Sequence, residues 1–154
     1  MEKAAFAAGC FWSIEEAFRV LKGVKKTSVG YMGGKTKNPS YEEVCSGRTG
    51  HAEAVLVEYD SKIISYEKLL EVFWSIHNPT TKNRQGFDIG SQYRSIIFYF
   101  SEGQKKIALK SKKELNKSGK YWKPVVTEII KASAFYKAED HHQKYLMKKG
   151  LKVC

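Results

Sequence analysis

The stretch Ala4-Ala5-Phe6-Ala7-Ala8-Gly9-Cys10-Phe11-Trp12 decides how the rest of the chain is read. An apolar run gives way at Gly9 to a helical pattern. Phe11, Ile14, Phe18 and Leu21 share one face, with Glu15, Glu16, Arg19 and Lys22 elsewhere. The order is strand, tight glycine turn, cysteine, helix. It puts Cys10 at a helix N-terminus, where unpaired N–H groups and the helix dipole favour an anion. A thiol so placed titrates below its ordinary value of about 8.5 and becomes a nucleophile near neutral pH. The two aromatic rings beside it suit a small apolar substrate. The competing reading is a buried thiol that packs as a small hydrophobe.

Working outward, residues 24–31 read as a strand that runs into the turn Tyr31-Met32-Gly33-Gly34. The short segment Tyr41-Glu42-Glu43-Val44-Cys45 lies between two polar loops. Residues 51–59 form a strand apolar enough to be covered on both faces along part of its length. Glu53 is out of character there. A carboxylate among Ala52, Ala54, Val55, Leu56 and Val57 is costly to bury charged, so its pKa rises, which suits a general acid. The competing reading is a strand-end glutamate facing water.

Residues 65–76 read as a helix capped by Ser65, with Trp74 in the core and His77 meeting the dipole at its end. Residues 80–92 follow as a long irregular loop containing Gln85-Gly86-Phe87-Asp88-Ile89-Gly90, a length that is often functional. Then come a strand at 95–100, a lysine-rich helix from the Ser101 cap to about 118, a last strand at 125–131 and a final helix at 138–149. Trp122, just before Pro124, reads as structural. One α+β domain over residues 1–154 accounts for the pattern: a two-layer α/β sandwich, its sheet mixed but mainly antiparallel, with flanking helices. A short tail, 150–154, carries Cys154.

The 154 residues are enough for a real core, and 42% hydrophobic content excludes disorder. No apolar run reaches the length of a membrane span, so no membrane partner is expected. The N-terminus has no signal-peptide layout, so a cytoplasmic monomer is expected. Net charge is +11, but the lysines fall on helix-like and loop segments without a recognition motif, so solvated faces are favoured over nucleic acid. No His, Cys and carboxylate set has metal-ligand spacing. Three cysteines, Cys10, Cys45 and Cys154, make an odd count that argues against a structural disulfide framework and leaves room for a catalytic one.

Several separated stretches then agree in order and spacing. Gly9-Cys10-Phe11-Trp12, Tyr41-Glu42-Glu43-Val44-Cys45, Gly47-Arg48-Thr49-Gly50-His51-Ala52-Glu53, Gln85-Gly86-Phe87-Asp88, Gln92-Tyr93-Arg94-Ser95 and Ala138-Glu139-Asp140 with His142-Gln143 resemble the A class of peptide methionine sulfoxide reductases. The resemblance covers essentially the whole chain. It implies a two-layer, ferredoxin-like roll with the reactive cysteine at a helix start. It implies Cys10 as nucleophile, Glu53 as acid, Tyr41 and Tyr93 as hydroxyls on the sulfoxide oxygen, and Asp88 as a supporting carboxylate. Phe11 and Trp12 match the apolar pocket for the substrate methyl. The implied reaction is reduction of methionine S-sulfoxide, free and in proteins, through a Cys10 sulfenic acid. No bound cofactor is implied; thioredoxin, or dithiothreitol in vitro, is the reductant.

Two positions depart from the family pattern. Ser13 stands where many members have glycine, and Phe87 fills a slot often small or polar. Phe87 is expected to pack beneath its loop, the alternative being that it extends the apolar wall. A sulfenic acid condenses with a nearby thiol. Cys154, on a terminal tail where reach is expected, is preferred as the resolving thiol. Cys45 is the alternative, its other reading being a small buried side chain between Tyr41 and Glu53, and an external thiol is the third. Two other functions compete: a cysteine hydrolase using Cys10 and His51, which forms no protein disulfide, and a basic nucleic-acid-binding module with steeply salt-dependent binding.

Overall fold

In the computed structural model, which describes residues 1–150, the opening strand is β1 (Glu2–Ala8) and the helix after Gly9 is α1 (Phe11–Arg19). Alternation along β1 splits the interior into two parts. Ala4, Phe6 and Ala8 face the helices, while Ala5 and Ala7 face the other side. The remaining elements are β2 (Val24–Met32), α2 (Tyr41–Cys45), β3 (Ala52–Tyr59), α3 (Tyr66–Ser75), β4 (Arg84–Gln85), β5 (Asp88–Ile89), β6 (Ser95–Tyr99), α4 (Glu102–Lys117), β7 (Glu128–Lys131), β8 (Tyr136–Lys137) and α5 (Tyr145–Lys148).

Six strands form one sheet in the order β7-β6-β1-β3-β2-β8. Only β6 and β7 run parallel; the other pairs are antiparallel, as the sequence predicts. Helices α1, α3 and α4 lie on one face and bury Phe18, Leu69, Phe73 and Ala108 against Phe6, Val55 and Val57. Phe6 is the hub, with Phe18 stacked at 5.0 Å and Phe73 at 5.2 Å. The second face is covered over Met32, Ala54 and Phe98 by Ala132 and Phe135. Strand β3 is therefore buried on both faces over its first half, and this is why a carboxylate at position 53 is enclosed.

The caps form as expected. Ser65 Oγ accepts from the Lys68 amide, Ser101 Oγ accepts from the Gln104 amide, and Gly119 leaves α4 with φ +74°.

Several expectations are corrected. Loop 80–92 is not irregular throughout: it carries the β4–β5 hairpin and a 3₁₀ turn, Ser91–Tyr93. The last strand begins only at Glu128, and a further short strand, β8, pairs with β2. The expected helix over 138–149 is a 3₁₀ turn, Asp140–His142, followed by the four residues of α5. Tertiary bonds outcompete the helix there. Gln143 gives its side chain to Val29 and Ala138, and Lys144, at φ +51°, gives its amide to the buried carboxylate of Glu15. Trp122 is wholly exposed, whereas Trp74 is buried and donates its indole N–H to Ser111 Oγ at 2.7 Å.

His77 does not meet the dipole as a cation. Burial holds it neutral, with its pKa down at about 4. It lies between the Phe73 carbonyl and Ser95 Oγ, both at 2.7 Å.

Candidate active site

Cys10 is the N-cap of α1 and is half-buried. The turn that delivers it needs glycine: Gly9 sits at φ +106°, and a Cβ there would lie 2.9 Å from Gln85 Cγ. That close approach sets the Cys10 turn against the β4–β5 hairpin. Gln85 is in turn fixed by accepting from the Asn78 amide at 2.7 Å and donating to the Asn78 carbonyl at 2.8 Å.

Strand β3 brings Glu53 to the start of the same helix. The Phe11 amide donates to Glu53 Oε1 at 3.2 Å. Glu53 is 1% exposed, and Oε2 is buried with no hydrogen-bond partner among the described residues. Burial pushes the carboxyl up to about 8; the Phe11 amide opposes the shift and the charge of Asp88 adds to it. At neutral pH the group is therefore mostly a neutral acid, as its place in an apolar strand predicts.

Tyr41 is the first residue of α2, which Ser40 and Glu43 start with a reciprocal capping box. Its amide donates to Glu139 Oε2 at 3.1 Å, and Tyr31 donates its hydroxyl to Glu139 Oε1 at 2.9 Å. Tyr93 ends the 3₁₀ turn after Gly90. Arg94 clamps that turn, donating to the Ser91 and Gly50 carbonyls at 2.9 Å each. Burial pushes the Tyr41 hydroxyl well above its ordinary range and that of Tyr93 up to about 12. Both remain protonated donors at neutral pH. Tyr93 lies within electrostatic reach of Glu53, Cys45, Asp88 and Cys10, so these residues gather around it.

Phe11 is fully buried, its ring 5.8 Å from Tyr31 and 5.3 Å from His142. Trp12 is half-buried, stacks on Tyr145 at 3.9 Å, and donates its indole N–H to His142 Nδ1 at 3.0 Å. Burial lowers the pKa of His142, which keeps the imidazole neutral and able to accept. The Tyr41 ring lies 4.6 Å from His142. Together these side chains form an aromatic wall beside the cysteine.

Gln85, Glu139 and His142 stand in the matching motifs without an assigned role, and Tyr145 is not signalled at all. The available signal was the clustering of Glu139, His142 and Gln143 in a segment that lacks an amphipathic period.

Three expectations change. Cys45 is exposed at the end of α2, not buried; Val44 takes the inward position. The Cys45 thiol is hydrogen-bonded with Tyr41, and desolvation raises its pKa. Phe87 does not pack beneath its loop; it is fully exposed in the hairpin turn. His51 cannot serve Cys10 as a base, because both ring nitrogens hold the 34–36 loop. Nδ1 accepts from the Gly34 amide at 2.9 Å and Nε2 donates to the Thr36 carbonyl at 2.7 Å. Cys154 lies outside the described residues. Among the described residues no cluster of three or more His, Cys, Asp or Glu could hold a metal, and no helix is long and apolar enough to cross a membrane.

The family model for peptide methionine sulfoxide reductase matches residues 2–154. The chain belongs to the peptide methionine sulfoxide reductase family. A relative within it, peptide methionine sulfoxide reductase MsrA of Methanosarcina acetivorans, is 63% identical over 150 residues, covering 97% of this chain and 80% of its own. The structure of reduced Mxr1 from Saccharomyces cerevisiae superposes with a TM-score of 0.90 at 37% identity, covering 97% of this chain and 86% of that one. Mxr1 in complex with Trx2 superposes at 0.66, with 25% identity and coverage of 94% and 84%. Membership in this reductase family makes the chain an enzyme of that kind. The mainly antiparallel sheet with flanking helices agrees with these neighbours.

Proposed function

We propose that the chain reduces methionine S-sulfoxide, free and in proteins, by attack of the Cys10 thiolate on the sulfoxide sulfur. The observation that carries this reading is Glu53, a buried neutral carboxyl bonded to the amide next to Cys10. A sulfoxide oxygen leaves its sulfur only when it is protonated or strongly hydrogen-bonded. Glu53 is the proton donor, and the Tyr41 and Tyr93 hydroxyls hold the oxygen. The helix start at Cys10 favours the thiolate. Phe11 and Trp12 cradle the methyl group, and a single chiral hollow of this kind takes one epimer. Asp88 supports the acid by keeping its pKa high.

In the net step the methionine sulfur loses its oxygen and gains two electrons. Cys10 gives up those electrons and receives the oxygen as a sulfenic acid, and the proton consumed comes from Glu53. The sulfenic acid then condenses with a thiol, releasing water and leaving a disulfide. We assign this resolving thiol to Cys154. Cys45 is the second candidate because its thiol bonds to Tyr41 inside the same cluster, although its raised pKa makes it a slow nucleophile. A dithiol reductant of the thioredoxin class returns the disulfide to thiols; the yeast relative in complex with Trx2 supports that partner.

The test is one oxidising turnover with methionine S-sulfoxide, followed by peptide mass mapping. The expected result is one methionine per protein and a disulfide that includes Cys10. Cys10→Ser should yield neither, and methionine formation by Cys10→Ser would end the proposal.

A further inference from the structure

The β4–β5 hairpin stands at the rim of the site. Its root is fixed: Gln85 packs on Gly9 and bonds Asn78 at both ends of its amide, Arg84 donates to the Gly86 carbonyl at 2.9 Å, and Thr81 Oγ1 donates to the Arg84 carbonyl at 2.7 Å. Gln85 and Asp88 are directly paired, so both lie on one face of the ribbon, the face that Gln85 lays against the cysteine turn. Ile89 pairs with Arg84 on the opposite face. Between these two residues, in the turn, Phe87 is 102% exposed. The space beside it is open, with nothing within 4 Å of a Cβ placed on Gly86.

A single exposed apolar side chain on a protein surface is ordinary. Phe87 differs in its place: it is held by a braced turn, one residue from Asp88 and two from the side chain that packs on the cysteine turn. An oxidised methionine within a polypeptide must lay its neighbours across this rim once its side chain enters the hollow. Oxidation also breaks up apolar packing around methionine, so oxidised chains present apolar neighbours to solvent. A rigid aromatic ring in open space is the side chain that gains most from covering such a neighbour.

We propose that Phe87 is a specificity-determining residue that takes the apolar side chain flanking an oxidised methionine in a polypeptide. This rests on the sulfoxide-reductase reading above and adds the class of substrate the rim selects: unfolded or exposed segments with an apolar residue next to the sulfoxide. Free methionine sulfoxide has nothing to lay against the ring.

The experiment measures kcat/KM with dithiothreitol as reductant, so that no protein reductant competes for the rim. Two blocked tripeptides carry methionine S-sulfoxide at the centre, one flanked by glycines and one by leucines. Wild type should favour the leucine peptide by about tenfold, through a lower KM, and Phe87→Asn should bring that ratio to about twofold or less. Phe87→Leu should keep most of it. Equal rates on the two peptides in wild type, or an unchanged ratio in Phe87→Asn, would overturn the proposal. Wild type is also assayed on the free amino acid sulfoxide. Failure on the free amino acid and on both peptides defeats the reductase reading itself, whereas turnover with no preference between the peptides defeats only the role of Phe87.

Discussion

The Phe11 amide donates to Glu53 Oε1 at 3.2 Å, while Oε2 of the same carboxyl is buried without a partner among the described residues. One oxygen is tethered beside Cys10, and in the proposed mechanism the other carries the proton. Glu53→Gln keeps the shape and the tether but has no acidic proton. It should lower kcat by about a hundredfold or more while leaving KM near wild type. In wild type, kcat should fall as pH rises through about 8, because the active carboxyl is the protonated one. A Glu53→Gln enzyme as fast as wild type at pH 7 would remove Glu53 as the acid.

The same substitution should stabilise the fold. The folded carboxyl titrates near 8 and the unfolded one in the ordinary carboxylate range. Between those values the unfolded state releases a proton that the native state keeps, so Glu53 lowers stability as pH rises. The cost at pH 7 is on the order of 3 kcal/mol. Urea unfolding should show Glu53→Gln more stable than wild type at pH 7, with the advantage shrinking towards pH 4.

His142 receives the Trp12 indole N–H at 3.0 Å and lies against Phe11 and Tyr41. His142→Ala should leave that donor unpaired and the wall open. KM for methionine S-sulfoxide should rise about tenfold or more, with a smaller change in kcat. Steady-state kinetics over a wide substrate range separate the two effects.

Cys154→Ser should abolish turnover with thioredoxin and spare it with dithiothreitol, because only the disulfide route needs a second protein thiol. Cys45→Ser should leave both assays near wild type. If the two variants exchange these phenotypes, the resolving role passes to Cys45.

His77 supplies a second pH dependence of opposite sign. Its folded pKa, about 4, lies below the ordinary histidine value, so only the unfolded chain takes up the proton between the two. Stability should be fully present above about pH 6.5 and be lost progressively as pH falls to about 4, by up to roughly 3 kcal/mol. Chemical denaturation of His77→Gln at pH 4 and pH 7 should show this component of the slope removed.

Much of the site was legible because it rests on local rules. Strand, glycine, cysteine and helix follow one another within a few residues, and a glutamate in an apolar strand signals its raised pKa by itself. The aromatic wall was not legible in the same way. His142 reaches Trp12 across 130 residues of chain, and its segment gives up the helix for bonds to Val29 and Glu15 that no local pattern encodes. Phe87 was misplaced for the opposite reason: an apolar residue in a loop is assigned to packing by default, and only the paired hairpin shows that its turn has nothing to pack under. The burial that keeps His77 neutral likewise comes from tertiary packing, with Ser95, eighteen positions away, bonded to its ring.

The pairing of Trp12 with His142 also sets a timetable for biosynthesis. The ribosome makes Cys10 and the Trp12 ring more than a hundred peptide bonds before the imidazole that squares that ring against its neighbours. Until then a nascent chain carries its cysteine without a finished binding hollow, and so emerges with the weapon but not the aim.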